Sequence, residues 1–243
     1  MIFINKGQPP KGLAQLKQIA EEHHETDSEG YRRLSNPLKN EVREVLLQEQ
    51  GHLCAYCMRR LPDERITDND PNLSSVYIEH WKTRSGQSDV TENQGLNYYN
   101  MLAVCSGNEQ APEADKRRHK KRFFTCDKKR ENATLKVNPM DQATIDTIYY
   151  SSDGTIRSID REIDLDLSIH LNLNCSSYAV TLPKNRQAVL EEVQKSVVEH
   201  GGDILHNCIA KLRLWEQESD PRTPYIGIAI WWLKKQIQIL SKT

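Results

Sequence analysis

The chain has 243 residues, of which 37% are hydrophobic and 28% charged, enough to bury a full core in one or two domains and too apolar for a disordered polymer. A net charge of -1 gives no whole-chain attraction to nucleic acid, so any such affinity has to come from a local cluster of basic residues. The most apolar stretch, Tyr225 to Leu240, carries Lys234 and Lys235 and is too polar to span a bilayer, which excludes a membrane-embedded protein.

The N-terminus lacks the apolar run of a secretory signal, so a cytoplasmic protein is expected, and its six cysteines read as thiols or metal ligands rather than disulfides. Ile2-Phe3-Ile4 is a short β-prone start ended by Gly7 and Pro9-Pro10. Leu13, Leu16, Ile19 and Ala20 have helical spacing, and the polar stretch with His23 and His24 is given no role. Asn36-Pro37 signals a helix start, with Asn36 as the cap and Leu38, Val42, Val45 and Leu46 on one face; Gly51 is the stop. Val76 to Ile78 reads as a strand, with Leu96 to Val104 returning beside it, and Cys126-Asp127 opens a helix or helical turn. Ile145 to Tyr150 and Thr155 to Ile159 form a hairpin around Asp153-Gly154. Apolar residues then alternate at Ile163, Leu165, Leu167, Ile169, Leu171 and Leu173, a strand pattern. Helices follow over Asn185 to His200, from the Asp203 cap to about Glu218, and along the stripe Ile226, Ile230, Leu233, Ile237 and Leu240, with Trp231, Trp232 and Ile239 off that stripe.

The chemistry gathers between Cys54 and Asp127. Cys54 and Cys57 have the spacing of a metal knuckle, and Cys105 and Cys126 complete a tetrahedral set of four thiolates suited to a structural zinc. A redox pair is the rival for Cys54-Ala55-Tyr56-Cys57, but no βαβ pattern surrounds it. Glu79-His80 and Asn100 lie between the cysteine half-sites. A neutral imidazole suits a general base, and oxygen ligands from Glu79 and Asp127 suit a second ion, Mg²⁺ or Mn²⁺. Lys116, Arg117, Arg118, Lys120, Lys121, Arg122, Lys128, Lys129 and Arg130 form a basic strip opposed only by Asp127, a candidate phosphate contact. Cys175 and Cys208 read as core thiols, and His52, His170, His200 and His206 as structural.

Cys54-Ala55-Tyr56-Cys57, Glu79-His80, Asn100 and Cys105 through Cys126-Asp127-Lys128-Lys129 together resemble the zinc-containing HNH nucleases of the ββα-metal type. In that family a second CxxC runs into Asn/His-x-x-Lys; here residues 106–125 split the pair. Further likeness at Phe3-Ile4-Asn5-Lys6, Asn138-Pro139, Leu171-Asn172-Leu173-Asn174, Asn185-Arg186 and Tyr225-Ile226-Gly227 resembles the PtuB-like HNH subunit of Septu and retron antiphage systems. The resemblance implies an α+β fold: an N-terminal strand and helix (1–35), a ββα-metal HNH core stapled by a four-cysteine zinc site (36–140), and a hairpin with a mainly helical C-terminal region (141–243). It would make part of 163–173 helical, so that stretch stays open. It implies His80 as base, Asp127 at the place of the family's Asn or His ligand with Asp115 and His119 as rivals should the insertion shift the register, and Asn100 bracing the loop and orienting His80. It also implies a nucleic-acid substrate, a PtuA-like ATPase subunit, and a retron reverse transcriptase with its reverse-transcribed DNA as partners. RNA such as tRNA is the alternative substrate, and a non-catalytic zinc module that binds nucleic acid is the alternative from another class.

Overall fold

A computed structural model describes residues 1–61, 76–83, 94–109, 120–176, 181–199 and 201–242. Among them the protein is α+β, with two small antiparallel sheets and a majority of helix. The N-terminal segment joins no sheet among the described residues; it is fixed instead by the Ile4 amide donating to the Pro139 carbonyl at 2.8 Å. Helix α1 spans Lys11–Glu22 and buries Leu13 and Ala20. A second helix, α2 (Asp27–Arg32), occupies a stretch that reads from sequence as merely polar. Its cause is a capping box: the Thr26 hydroxyl accepts from the Glu29 amide, and the Glu29 carboxylate accepts from the Thr26 amide at 2.9 Å.

Helix α3 (Asn36–Glu49) begins one residue earlier than expected, because the Ser35 hydroxyl, not the Asn36 side chain, accepts from the Leu38 amide. Val42, Leu46 and Leu47 face the core. Gln50, just past its end, is buried and engages both backbone groups of Ala103: its Nε2 donates to the Ala103 and Leu53 carbonyls, and its Oε1 accepts from the Ala103 amide, each at 2.8 Å. This side chain ties the segment after α3 to the central strand. Gln50→Leu would leave the Ala103 amide and the Leu53 carbonyl without this partner, and urea unfolding is expected to show a loss of about 2–4 kcal/mol.

Strands β1 (Tyr77–His80) and β2 (Met101–Val104) pair antiparallel, with Tyr77 opposite Val104 and His80 opposite Met101. A 3₁₀ turn at Tyr98–Asn100 leads into β2, every residue of which is buried. After the short helix α4 (Cys126–Arg130) come α5 (Gln142–Asp146) and the hairpin β3 (Ile148–Tyr150) and β4 (Ile156–Ser158). Gly154 turns that hairpin at φ +81°; a Cβ there would lie 1.9 Å from the Pro183 carbonyl.

The alternating stretch after the hairpin is not a strand. It is helix α6 (Arg161–Leu165) continued by a π-helical turn over Asp166–His170. Asp160 caps it by accepting from the Glu162 and Ile163 amides. As far as Leu171, only every second member of the alternation is buried, Ile163, Leu167 and Leu171, while Leu165 and Ile169 face outward, so the operative spacing is four residues and not two. Helices α7 (Leu182–Glu199), α8 (Ile204–Gln217, capped by Asp203) and α9 (Ile226–Leu240) follow. In α9 Ile226, Ile228, Ala229 and Leu233 are buried, Trp231 packs edge-on against Tyr150, and Ile239 is exposed. Buried Arg186 joins α7 to the hairpin, donating to the Gly154 and Leu173 carbonyls at 2.6 and 2.9 Å. Among the described residues no helix is long and apolar enough to cross a membrane.

Candidate metal centre and adjoining acidic site

The first cysteine pair sits on a tight turn closed by the Met58 amide donating to the Cys54 carbonyl and the Cys54 amide to the Arg59 carbonyl, both at 2.9 Å. The Ala55 amide donates to the Ala103 carbonyl at 3.1 Å, which docks this turn against β2, and β2 delivers Cys105 one residue past its end. The chain then leaves on the insertion and returns at almost the same point. The Thr125 amide donates to the Gly107 carbonyl at 3.0 Å, and Asn108 Nδ2 donates to the Phe123 carbonyl at 3.0 Å. Gly107 is required there: at φ +59°, a Cβ would lie 2.2 Å from the Thr125 carbonyl. From the other side, Asn172 Nδ2 donates to the Arg122 and Phe124 carbonyls, and the Cys126 amide donates to the Leu171 carbonyl at 2.9 Å. The insertion is therefore pinched at its base, and splitting the second cysteine pair does not separate its sulfurs.

All four Sγ atoms of Cys54, Cys57, Cys105 and Cys126 lie within 4.8 Å of one another and are buried. Cys54–Cys126, Cys57–Cys105 and Cys105–Cys126 are 3.9, 3.8 and 3.7 Å apart. Four sulfurs placed tetrahedrally at about 2.3 Å from a zinc ion would be ~3.8 Å apart, so the cluster fits that ion in donor type, number and spacing. Hydrogen bonds from the three neighbouring thiols hold Cys57 well below the ordinary thiol range, whereas burial pushes Cys54 well above it. Burial works against the charge of Arg59, yet the negative charge of Cys57 and Cys105 keeps its guanidinium firmly protonated beside the cluster. Cys175 and Cys208 are buried elsewhere and do not belong to this group, and His52 pairs with Asp220.

Helix α4 carries Asp127 directly after Cys126, and β1 carries Glu79-His80 toward it. The Glu79 carboxyl lies near enough to Asp127 to be affected by its charge. Burial first, and then the nearby Asp127 charge, push the Glu79 carboxyl up to about 8, while Arg130 works in the opposite direction. Tyr56 Oη donates to Glu79 Oε1 at 3.3 Å, and Arg130 Nη1 donates to the same oxygen. A buried carboxyl and a half-buried one that feel each other's charge form a hard-oxygen donor set, which suits Mg²⁺ or Mn²⁺ and whose mutual repulsion a divalent cation would relieve.

Arg130 belongs to the basic strip by sequence, but its side chain is buried and does not face solvent with the others. Besides Glu79 it donates to the His80, Trp81 and Ala133 carbonyls at 2.9, 2.5 and 2.8 Å, clamping the exit of β1 to α4. The signal for this was its position one helical turn after Cys126, which points it inward. Arg130→Met would leave Glu79 and three carbonyls without their donor, and a loss of about 3–5 kcal/mol in thermal or urea unfolding is expected.

His80 is buried, with its ring edge against Tyr31 at 5.1 Å between centroids. Its Nε2 is 3.0 Å from the Gly95 carbonyl. A carbonyl only accepts, so the neutral ring is assigned its proton on Nε2 and its lone pair on Nδ1. Asn100 makes no direct bond to the ring. Its Oδ1 accepts from the Lys82 amide at 2.7 Å, and its Nδ2 donates to the Lys82 and Gln94 carbonyls at 3.0 and 3.2 Å. It thereby bridges the segments on either side of residues 84–93 and fixes the peptide adjoining Gly95. Asp27, at the start of α2, supports the same place by accepting from the Gln94 amide at 2.7 Å. The sequence reading missed Tyr31, Tyr56 and Asp27; the capping-box pattern around Thr26 was the available cue to the last.

Of the basic strip, Arg122 is exposed over the Phe123 ring, and Lys128 pairs with Glu109 at 2.6 Å. Lys129 is half-buried. Lys116, Arg117 and Arg118 lie outside the described residues, as do Asp115, His119, His200 and the side chains of Lys120 and Lys121.

No family model matches the chain. Over 70 residues it is 33% identical to the retron Ec83 putative HNH endonuclease of Escherichia coli. The matched stretch is 29% of this chain and 24% of that protein, so the chain spans about a quarter of the length of this curated relative.

Proposed function

We propose that the chain is a metal-dependent HNH endonuclease that hydrolyses phosphodiester bonds, with a ββα-metal catalytic core held by a zinc bound to Cys54, Cys57, Cys105 and Cys126. The observation that carries this reading is the four-sulfur cluster with Asp127 following its last cysteine and acting electrostatically on Glu79, the residue before His80. The local likeness to a retron HNH endonuclease supports it.

In this reading Glu79 and Asp127 hold a Mg²⁺ or Mn²⁺ ion, which when bound supplies Lewis-acid stabilisation of the phosphoryl and departing oxygens. His80 Nδ1 takes the proton of the attacking water. The Gly95 carbonyl, accepting from Nε2, then stabilises the imidazolium that forms. Asn100 keeps that carbonyl in place through Gln94, and Arg130 holds the Glu79 carboxylate and the end of β1 as one unit. Arg122, Lys128 and Lys129, with the rest of the strip before them, contact backbone phosphates.

The finer reading follows the relative's retron context. The chain acts in the cytoplasm as the nuclease effector of a Septu- or retron-type antiphage system, resembling the PtuB-like subunit. Its partners are a PtuA-like ATPase and a reverse transcriptase with its reverse-transcribed DNA. Cleavage of labelled nucleic acid with Mg²⁺, Mn²⁺ or no added divalent ion tests the enzymatic part. Cutting only with added metal, and none by Asp127→Ala, is expected; equal cutting by zinc-loaded protein without a second metal would end the reading.

A further inference from the structure

A cavity of about 500 Å³ opens beside the exit of β1, between the N-terminal segment and the residues that follow His80. Its volume falls in the range of sites for small organic molecules, about 300–1,000 Å³. Trp81 and Lys82, the two residues after His80, line it, as do Asn100, which braces them, and Asn5, Tyr99 and Asn138. Two features set this lining apart from an ordinary surface groove.

The first is a pair of aromatic planes. Trp81 is fixed by its Nε1 donating to the Val137 carbonyl at 2.8 Å, and Tyr99 is 51% exposed, a large ring presented to solvent at the rim. The second is the uncharged amide chemistry. Asn100 is fully engaged in holding the backbone, but Asn138 uses only its Oδ1, accepting from the Met140 amide at 3.0 Å, and its Nδ2 has no partner among the described residues. Asn5, also exposed, lies on the adjoining segment, which the Ile4 amide ties to the Pro139 carbonyl. Carboxamides offer donor and acceptor together, the pattern that matches the edges of nucleobases, and aromatic side chains stack on their faces. Two lysines line the cavity: Lys82 is exposed, whereas Lys6 is engaged with Glu49 and the Met101 carbonyl.

We propose that this cavity receives one unpaired nucleotide of the substrate, its base stacked on Tyr99 and Trp81 and read by Asn5 and Asn138, with an adjacent phosphate on Lys82. The inference rests on the nuclease reading and deepens it: the substrate class is nucleic acid with an unstacked base next to the scissile linkage, because a paired base cannot enter. The ligand chemistry is common to DNA and RNA.

The test uses the full chain carrying His80→Ala, so that no probe is consumed, and fluorescein-labelled 12-mers: single-stranded DNA, single-stranded RNA of the same sequence, and the blunt DNA duplex. Tyr99→Ala should weaken single-strand binding roughly 5- to 150-fold, and Tyr99→Phe should restore it, with duplex binding changed less than about twofold. Lys82→Ala should weaken both single-strand probes and lower their salt dependence, with the duplex changed less. A difference between the DNA and RNA arms identifies the natural strand. Unchanged single-strand affinity in Tyr99→Ala, an equal loss on the duplex, or no binding of any probe would overturn the pocket. Metal-dependent cleavage by the His80 chain, measured alongside, separates the two failures: a pocket overturned with cleavage intact leaves the nuclease reading standing, and no cleavage removes both.

Discussion

Cys126→Ser should yield a chain that neither holds zinc nor folds. The four sulfurs are buried at tetrahedral spacing, and they come from three separate segments: a turn after α3, the end of β2, and the start of the five-residue helix α4. A structural zinc in a small peptide is worth about 10–16 kcal/mol of apparent binding energy, against roughly 5–15 kcal/mol for the whole stability of an ordinary domain. Cys126 also sits at φ +54°, a backbone conformation that a non-glycine residue keeps only when its surroundings impose it. Loss of the ligand removes that imposition. The expected result is insoluble protein, or soluble protein with no zinc by elemental analysis and no cooperative unfolding transition. Cys175→Ser is the control: that thiol is buried outside the cluster, so zinc content should remain at the wild-type level.

His80→Ala should lower the rate of phosphodiester hydrolysis by about 10²–10⁴ while zinc content stays the same. The ring is buried against Tyr31, so its removal opens a cavity and costs about 2–4 kcal/mol, small beside the contribution of the metal. Zinc content therefore reports that the scaffold has survived, and the rate reports the base. A variant as fast as wild type with zinc in place would remove His80 from the chemistry.

What the sequence revealed here, and what it hid, divides along physical lines. The cysteine set was legible because thiolate ligands are few and their spacing is distinctive, and the structure brings all four together despite the split pair. The closure of that split was not legible. It depends on hydrogen bonds of Gly107 and Asn108 with the residues before Cys126, and of Asn172, far along the chain, all of which pinch the insertion. The pattern at 163–173 left strand and helix open because alternation contains a four-residue spacing within it; the Asp160 cap decides for helix. Arg130 was misplaced for a related reason. A run such as Lys128-Lys129-Arg130 looks uniform in sequence, but α4 sends consecutive side chains in different directions, and the third enters the core. The approach of Asp127 to Glu79 could be expected only from family likeness, since the two lie on separate elements, α4 and β1.

The most direct measurement is cleavage of end-labelled nucleic acid in Mg²⁺ by the wild-type chain and by Glu79→Ala, with zinc quantified on the same samples. The account predicts one zinc per chain in both proteins and cleavage by the wild type alone. Zinc missing from the wild type, or cleavage undiminished in Glu79→Ala, would contradict it.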